Sequence, residues 1–322
     1  MINSQLKHEE KQSILVIQTK SLESFVYALR AFSAIRMHHD GAGITLVCSK
    51  AMVDFARVAP YFDEVIPDTG SVLGLCSLVR GQTFDRVYDL DTSTRTKQVF
   101  TLAKTWRQRL GFEQPIPWCG HAKGCSYFYT NSDQSTAHCS DSLMTQIGVA
   151  GISEHPPASL AWVSRSVGTF SLPLSLSEPF ILFALDPGGV NGVQWTPSHY
   201  AEMAAVSSAR GERPVLIGEK KAQDITEAVV GVVPETINLC GQASYIELVF
   251  LAWAASCAIG ADNSFMHLLA AAGCRSVVLY DPGSDAALSG HRGPDVTILR
   301  RHTLASIAVA EVVQALNKKT IT

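Results

Sequence analysis

The chain has 322 residues, 47% of them hydrophobic and 17% charged, with a formal net charge of −3. That is apolar material for about two ordinary domains and leaves little for a disordered tail. The slightly acidic balance argues against a nucleic-acid binder, which needs a cationic surplus, and no apolar run reaches the roughly 20 residues of a spanning helix.

The polar, mixed-charge start, Met1–Gln12, lacks the apolar core of a secretory signal. A cytosolic location is expected, where structural disulfides are uncommon. From Ile14 the chain alternates strand and helix. Ile14–Gln18 (ILVIQ) is an apolar run suited to a strand buried on both faces. A helix is expected from Ser24 to about His39, with Phe25, Leu29, Phe32 and Ile35 on one face. Ile44–Cys48 reads as the second strand and Ala51–Val58 as a short helix. Glu64–Ile66, Val72–Val79 and Arg86–Leu90 continue the series. Between Thr94 and Leu110 stand Arg95, Lys97, Lys104, Arg107 and Arg109 and no acidic residue. This basic face can meet an anionic ligand or membrane surface, or can be no more than a solvated helix face.

From Gly111 to Ala137 the pattern loosens. Here Cys119, Cys125 and Cys139 cluster with His121 and His138 as C-x-H-x3-C-x12-H-C. Thiolates and imidazoles suit zinc, but structural zinc modules pair their cysteines at short C-x2-4-C spacing. No metal site is expected. Cys48, Cys76, Cys240, Cys257 and Cys274 lie in or beside apolar runs and read as small core residues. Ser140–Val149 is helical in pattern, and the Pro- and Ser-rich stretch Gly151–Glu178 reads as an interdomain linker.

A second series starts at Phe180–Leu185, a strand. Pro197–Arg210 (helix), Pro214–Ile217 (strand), Ala222–Val230 (helix), Ile237–Cys240 (strand) and Ser244–Ala255 (helix) follow. Cys257–Ala261 (strand), Phe265–Ala272 (helix), Ser276–Tyr280 (strand) and a last helix from about Leu304 to Asn317 close the chain. Repeated β–α units with few hairpin signals predict doubly wound parallel sheets. The expected fold is α/β: a Rossmann-like domain over residues 1–170 and another over 171–322, facing a central cleft as in the GT-B architecture. Ligands of such sheets bind beyond the carboxyl ends of the strands.

The segment from Cys257 to Pro282 is the most informative. Asp262 and Asn263 can cap the helix that follows, whose exposed amides form an anion site, and His267 falls in its first turn. On spacing alone the preferred reading is an ordinary strand–cap–helix unit whose Asp only satisfies backbone amides. Asp262-Asn-Ser-Phe-Met-His267, however, resembles the D-[TS]-G-x-x-H signature of glycosyltransferase family 9, the ADP-heptose–lipopolysaccharide heptosyltransferases. Further segments are similar to that family in the right order. They are Ile14–Gln18 through Ala34-Ile-Arg36, Ile44–Val47, Phe62-Asp-Glu-Val-Ile66, Leu185-Asp-Pro-Gly-Gly189 with Trp195–Met203, and Leu239–Leu248.

The resemblance implies an inverting glycosyltransferase that moves heptose or a related sugar from a nucleotide-sugar donor, ADP-linked, to a lipopolysaccharide-type or other glycan acceptor. It implies donor binding by the C-terminal domain through Gly188, Gly189, Trp195, Asp262, Asn263, Ser264 and His267. The N-terminal domain would take the acceptor, an anionic glycan or glycolipid, with a peripheral contact to the inner membrane surface and no nucleic acid. No cofactor beyond the donor substrate is expected, and no metal, because helix amides and side chains can steady a departing diphosphate. The family carries a Gly-Asp pair in the first β–α loop, and its Asp is the implied base. Here the pair is Glu23 and Ser24. Serine cannot serve as a base unaided, whereas Glu23 can if it faces the acceptor. The family's diphosphate-binding Lys falls at Val193, its signature Gly at Ser264, and its ribose-contacting Glu at Ala222, with Glu219 and Asp224 nearby. These departures keep a second reading open: a non-catalytic or regulatory relative that retains a nucleotide pocket. A sugar-nucleotide epimerase of the same architecture is a third, but no motif supports it.

Overall fold

In the computed structural model, which describes residues 11–111, 114–130, 137–166, 178–185 and 195–318, two six-stranded parallel sheets organise two units. The first unit comprises Met1–Lys20, Tyr27–Ser135 and Ser140–Pro157. Its strands are β1 (Ser13–Gln18), β2 (Gly43–Cys48), β3 (Glu64–Pro67), β4 (Arg86–Asp89), β5 (Trp118–Gly120) and β6 (Tyr127–Phe128), in the order β3-β2-β1-β4-β5-β6. Its helices are α1 (Leu22–His38), α2 (Val53–Arg57), α3 (Val72–Gly81), α4 (Thr94–Arg109) and α5 (Cys139–Val149). The start of α1 groups with the second unit. Ile14 to Ile17 are buried on both faces of β1, which is why that strand is a continuous apolar run. In register, Ile14 faces Ile44 on one side and Arg86 on the other. Hydroxyls start the helices: Ser71 accepts from the amide of Gly74 and Ser93 from that of Thr96.

The second unit comprises Ser21–Val26, Thr136–Cys139 and Ala158–Thr322. After a short α6 (Val163–Ser166) come β7 (Phe180–Leu185), α7 (Pro197–Ala209), β8 (Arg213–Gly218), α8 (Gln223–Val232) and β9 (Ile237–Asn238). Then follow α9 (Tyr245–Ala254), β10 (Cys257–Ala261), α10 (Ser264–Ala271), β11 (Ser276–Tyr280), α11 (Ala286–Ser289), β12 (Val296–Arg300) and α12 (Val309–Asn317). The order is β12-β11-β10-β7-β8-β9. Each sheet therefore grows outward from its first strand in one direction and then reverses, between β1 and β4 in one unit and β7 and β10 in the other. Such reversals leave a crevice at the strand ends. Thr196, with Pro197 behind it, caps α7, and Ser244 with Glu247 forms a capping box on α9.

The expected α/β series is present, with local differences. Ala51–Val58 is a 3-10 turn at Lys50–Met52 followed by the brief α2. The loose Gly111–Ala137 stretch contains β5 and β6, of 3 and 2 residues, too short for periodicity to register. The expected Leu304–Asn317 helix is split: a 3-10 turn at Leu304–Ser306 buries Leu304 and Ile307, and α12 begins at Val309. Strand β12 and helix α11 fall outside the expected series. The 170/171 boundary lies outside the described residues. Among the described residues no helix is long and apolar enough to cross a membrane.

Candidate functional site

The carboxyl end of β10 holds a buried polar cluster of the second unit. Gly260 allows it: a Cβ there would meet the Ala184 carbonyl oxygen at 2.8 Å and Met266 Cγ at 2.9 Å, so β10 passes close to both β7 and α10. Asn263 is the cap of α10. Its side-chain oxygen accepts from the Met266 amide at 3.0 Å, and its side-chain nitrogen donates to the Ala184 carbonyl at 3.2 Å. One residue thus starts the helix and ties it to the neighbouring strand. Ser264 is the first helical residue, and His267 lies one turn in, buried.

Asp262 stands just before the cap. Its Oδ1 is 3.8 Å from Nε2 of His267 and 3.8 Å from Nε2 of His291. The two imidazoles stack, with centroids 3.6 Å apart and planes 7° apart. Tyr280 Oη lies 2.8 Å from His291 Nδ1, and His291 Nε2 lies 3.4 Å from the Asn263 carbonyl. Burial holds His267 well below the ordinary histidine range and His291 at about 3, so both rings are neutral. Neutral rings can stack without charge repulsion. Burial pushes the Asp262 carboxyl up to about 6; the Ser284 hydroxyl opposes this, while Glu23 and Asp281 add to it. Its Oδ2 is buried with no hydrogen-bond partner among the described residues.

Glu23, in the first turn of α1, belongs to this unit, and its Oε1 lies 3.9 Å from His267 Nε2. Ser24 Oγ is 3.5 Å from Ser21 Oγ. At the ends of β7 and β8 a cavity of about 310 Å³ is lined by Trp195, Thr196 and Pro197 on one side and Lys221, Ala222, Asp224 and Ile225 on the other. Trp195 is fully buried there; its Nε1 donates to the Ile307 carbonyl at 2.8 Å, and its ring stacks on His199. Gly188, Gly189 and Val193 lie outside the described residues.

Of the sequence-derived candidates, Glu23, Asp262, Asn263, Ser264 and His267 are gathered at the end of β10, and Trp195 stands beside the neighbouring cavity. Sequence reading missed His291, Tyr280 and Ser284. The signal available for His291 was its place in the polar run Ser289-Gly-His-Arg-Gly-Pro294, between the expected β11 and the last helix.

In the first unit, Arg95 is not a solvated cation. It pairs with Asp68 at 2.8 Å and donates to Thr19 Oγ1 at 2.6 Å, and the Thr19 hydroxyl donates to Asp91. Lys97 lines a groove of about 510 Å³ with Val72, Thr94, Gln98, Thr101 and Leu102. The thiols of Cys119 and Cys125 donate to the carbonyls of Gln146 and Gly120. His138 Nε2 lies 2.8 Å from the Gly290 carbonyl, within the second unit.

Comparison with solved structures finds the same fold. The ADP-heptose LPS heptosyltransferase II of E. coli aligns with a TM-score of 0.75 at 18% identity, over 95% of this chain and 98% of that one. A family 9 glycosyl transferase from Veillonella parvula DSM 2008 gives 0.75 at 19%, over 94% and 95%. The E. coli heptosyltransferase WaaC with ADP gives 0.74 at 15%, over 94% and 98%. No curated protein sequence matches significantly. The sequence profile of glycosyltransferase family 9 (heptosyltransferase) matches residues 75–311, most of the chain and both units, and the chain therefore belongs to that family.

Proposed function

We propose that the protein is an inverting glycosyltransferase that moves heptose or a related sugar from an ADP-linked donor to an anionic glycan or glycolipid acceptor. The observation that carries this reading is the convergence of the Asn263-capped start of α10 with Asp262, His267 and Glu23 at the point where the second sheet reverses. Amides at a helix start favour negative charge, as a diphosphate brings. The donor's nucleoside would take the cavity beside Trp195, and Gly188 and Gly189 would let backbone approach the phosphates. Asp262, Ser264 and His267 would hold the sugar-diphosphate end.

In the reaction, the acceptor oxygen bonds to the anomeric carbon from one face while the bond to the diphosphate breaks on the other, which inverts that centre. Glu23 is the carboxylate available to accept the acceptor's proton. The first unit would bind the acceptor. Lys97, Lys104, Arg107 and Arg109 offer it positive charge and offer the inner membrane surface a peripheral contact for a cytoplasmic enzyme. Ser24, standing where the family resemblance implies a carboxylate, favours the second reading of a non-catalytic relative with a nucleotide pocket.

The test is a panel of nucleotide sugars offered with lipopolysaccharide-core acceptors, with product stereochemistry read by NMR. Transfer with inversion from an ADP-sugar is the expected result. Nucleotide binding without turnover in any pair would select the non-catalytic reading, and absence of nucleotide binding would remove both.

A further inference from the structure

We propose that Asp262, His267 and His291 form a binding site for a divalent first-row transition-metal ion, with Zn²⁺ the ion this donor set suits. Two imidazoles and one carboxylate form a borderline-soft nitrogen and oxygen set, which suits zinc better than magnesium or calcium. Three protein donors also leave a coordination position open, as catalytic zinc sites do. The proposal concerns the protein without nucleotide and stands whether or not sugar transfer is the activity.

Three observations support it. The donors come from two places in the chain, the turn from β10 into α10 that carries Asp262 and His267 and the segment after α11 that carries His291, yet one oxygen lies 3.8 Å from both ring nitrogens. That separation is too long for a hydrogen bond, so direct Asp–His hydrogen bonding does not account for the grouping. Asp262 Oδ2 is buried without a partner among the described residues, an acceptor whose electrostatic demand a cation would meet. His291 is oriented from behind by Tyr280 Oη at 2.8 Å from its Nδ1, the outer-shell contact that metal-bound histidines use to fix ring and tautomer. Glu23 Oε1, 3.9 Å from His267 Nε2, adds negative charge at the rim.

Metal binding would require a small movement. Donors bound at ~2.0–2.2 Å around a tetrahedral ion lie about 3.3–3.5 Å apart. The two Asp262–His separations would therefore shorten by a few tenths of an ångström, and the three donor atoms, which all lie within 4.8 Å of one another, would close to that spacing. The stacked rings would tilt so that both lone pairs meet at the ion, and His291 Nε2 would exchange its 3.4 Å contact with the Asn263 carbonyl for the metal. Rotation about side-chain bonds supplies both motions.

The experiment uses the full chain, freed of metal by chelator and titrated with Co²⁺ without nucleotide, followed by Zn²⁺ displacement and X-ray absorption of the zinc-loaded protein. One equivalent of Co²⁺ should bind with a visible d–d spectrum, be displaced by one equivalent of Zn²⁺, and show imidazole and oxygen scattering without sulfur. His291→Gln should weaken Co²⁺ binding about a hundredfold or more and Tyr280→Phe about tenfold, whereas His38→Gln, at the His38–Glu154 pair, should leave it unchanged. Asp262→Asn serves as the ligand variant if circular dichroism shows that His291→Gln does not fold. The proposal is overturned if wild-type protein retains no metal after desalting, if sulfur scattering places the ion at cysteine, or if a folded ligand variant binds Co²⁺ as tightly as wild type.

Discussion

Glu23 Oε1 lies 3.9 Å from Nε2 of His267, which brings the first turn of α1 to the first turn of α10 within the second unit. If Glu23 is the base, Glu23→Gln should lower kcat by about 10²–10⁴ while donor affinity changes little. Single-turnover kinetics alongside calorimetry separates the two quantities. A near wild-type rate would leave Glu23 as a helix-end charge contributing roughly 0.3–1 kcal/mol.

Asp262→Ala tests the donor site. The carboxylate has one buried oxygen without a partner, so its removal should cost the fold little. Donor affinity should fall by about tenfold or more, equivalent to at least about 1.4 kcal/mol. Unchanged affinity in a calorimetric titration of the folded variant would disprove the assignment.

Asp89 gives a pH prediction away from the site. It is wholly buried at the end of β4, its Oδ2 has no partner among the described residues, and burial pushes its pKa up to about 6 from 3.8. A folded-state pKa above the unfolded value means that the native state holds the proton more tightly. The carboxyl therefore costs nothing below pH 3.8, destabilises progressively as pH rises toward 6, and carries its full cost above that. Asp89→Asn keeps an acceptor for the Thr92 amide and abolishes the titration. Denaturant unfolding should show the variant gaining on wild type by on the order of 2–3 kcal/mol between pH 4 and pH 7. A difference that stays flat across that range would rule out a raised carboxyl.

Gly218 ends β8 at φ 139°, and a Cβ there would lie 1.8 Å from the Leu185 carbonyl oxygen. Gly218→Ala must push β8 away from β7 and should cost at least about 3 kcal/mol, read as a lowered denaturant midpoint or loss of soluble protein. Gly211 also has a positive φ, of 78°, but a Cβ there would have nothing within 4 Å of it. Gly211→Ala should therefore cost only about 1–2 kcal/mol, the backbone strain alone. Equal effects at the two positions would show that backbone strain, not the close approach, sets the cost.

What the sequence by itself determined is local. Apolar runs such as Ile14–Ile17 and Phe180–Leu185 mark strands because a parallel strand covered on both faces has no polar side to show. Ser244 and Asn263 mark helix starts because a short oxygen-bearing side chain satisfies amides the helix leaves open. The Asp262–His267 motif is local too, since its residues share one strand end and one helical turn. The tertiary structure alone decided that His291 stacks on His267 and that Glu23 stands beside it, because sheet order and the path of the loops set which strand ends meet. It also decided that Arg95 is taken up by Asp68 and Thr19 instead of facing solvent, and that β5 and β6 exist at all. Strands of 3 and 2 residues have too little apolar pattern to declare themselves, and they are stabilised by the edge of a sheet already formed.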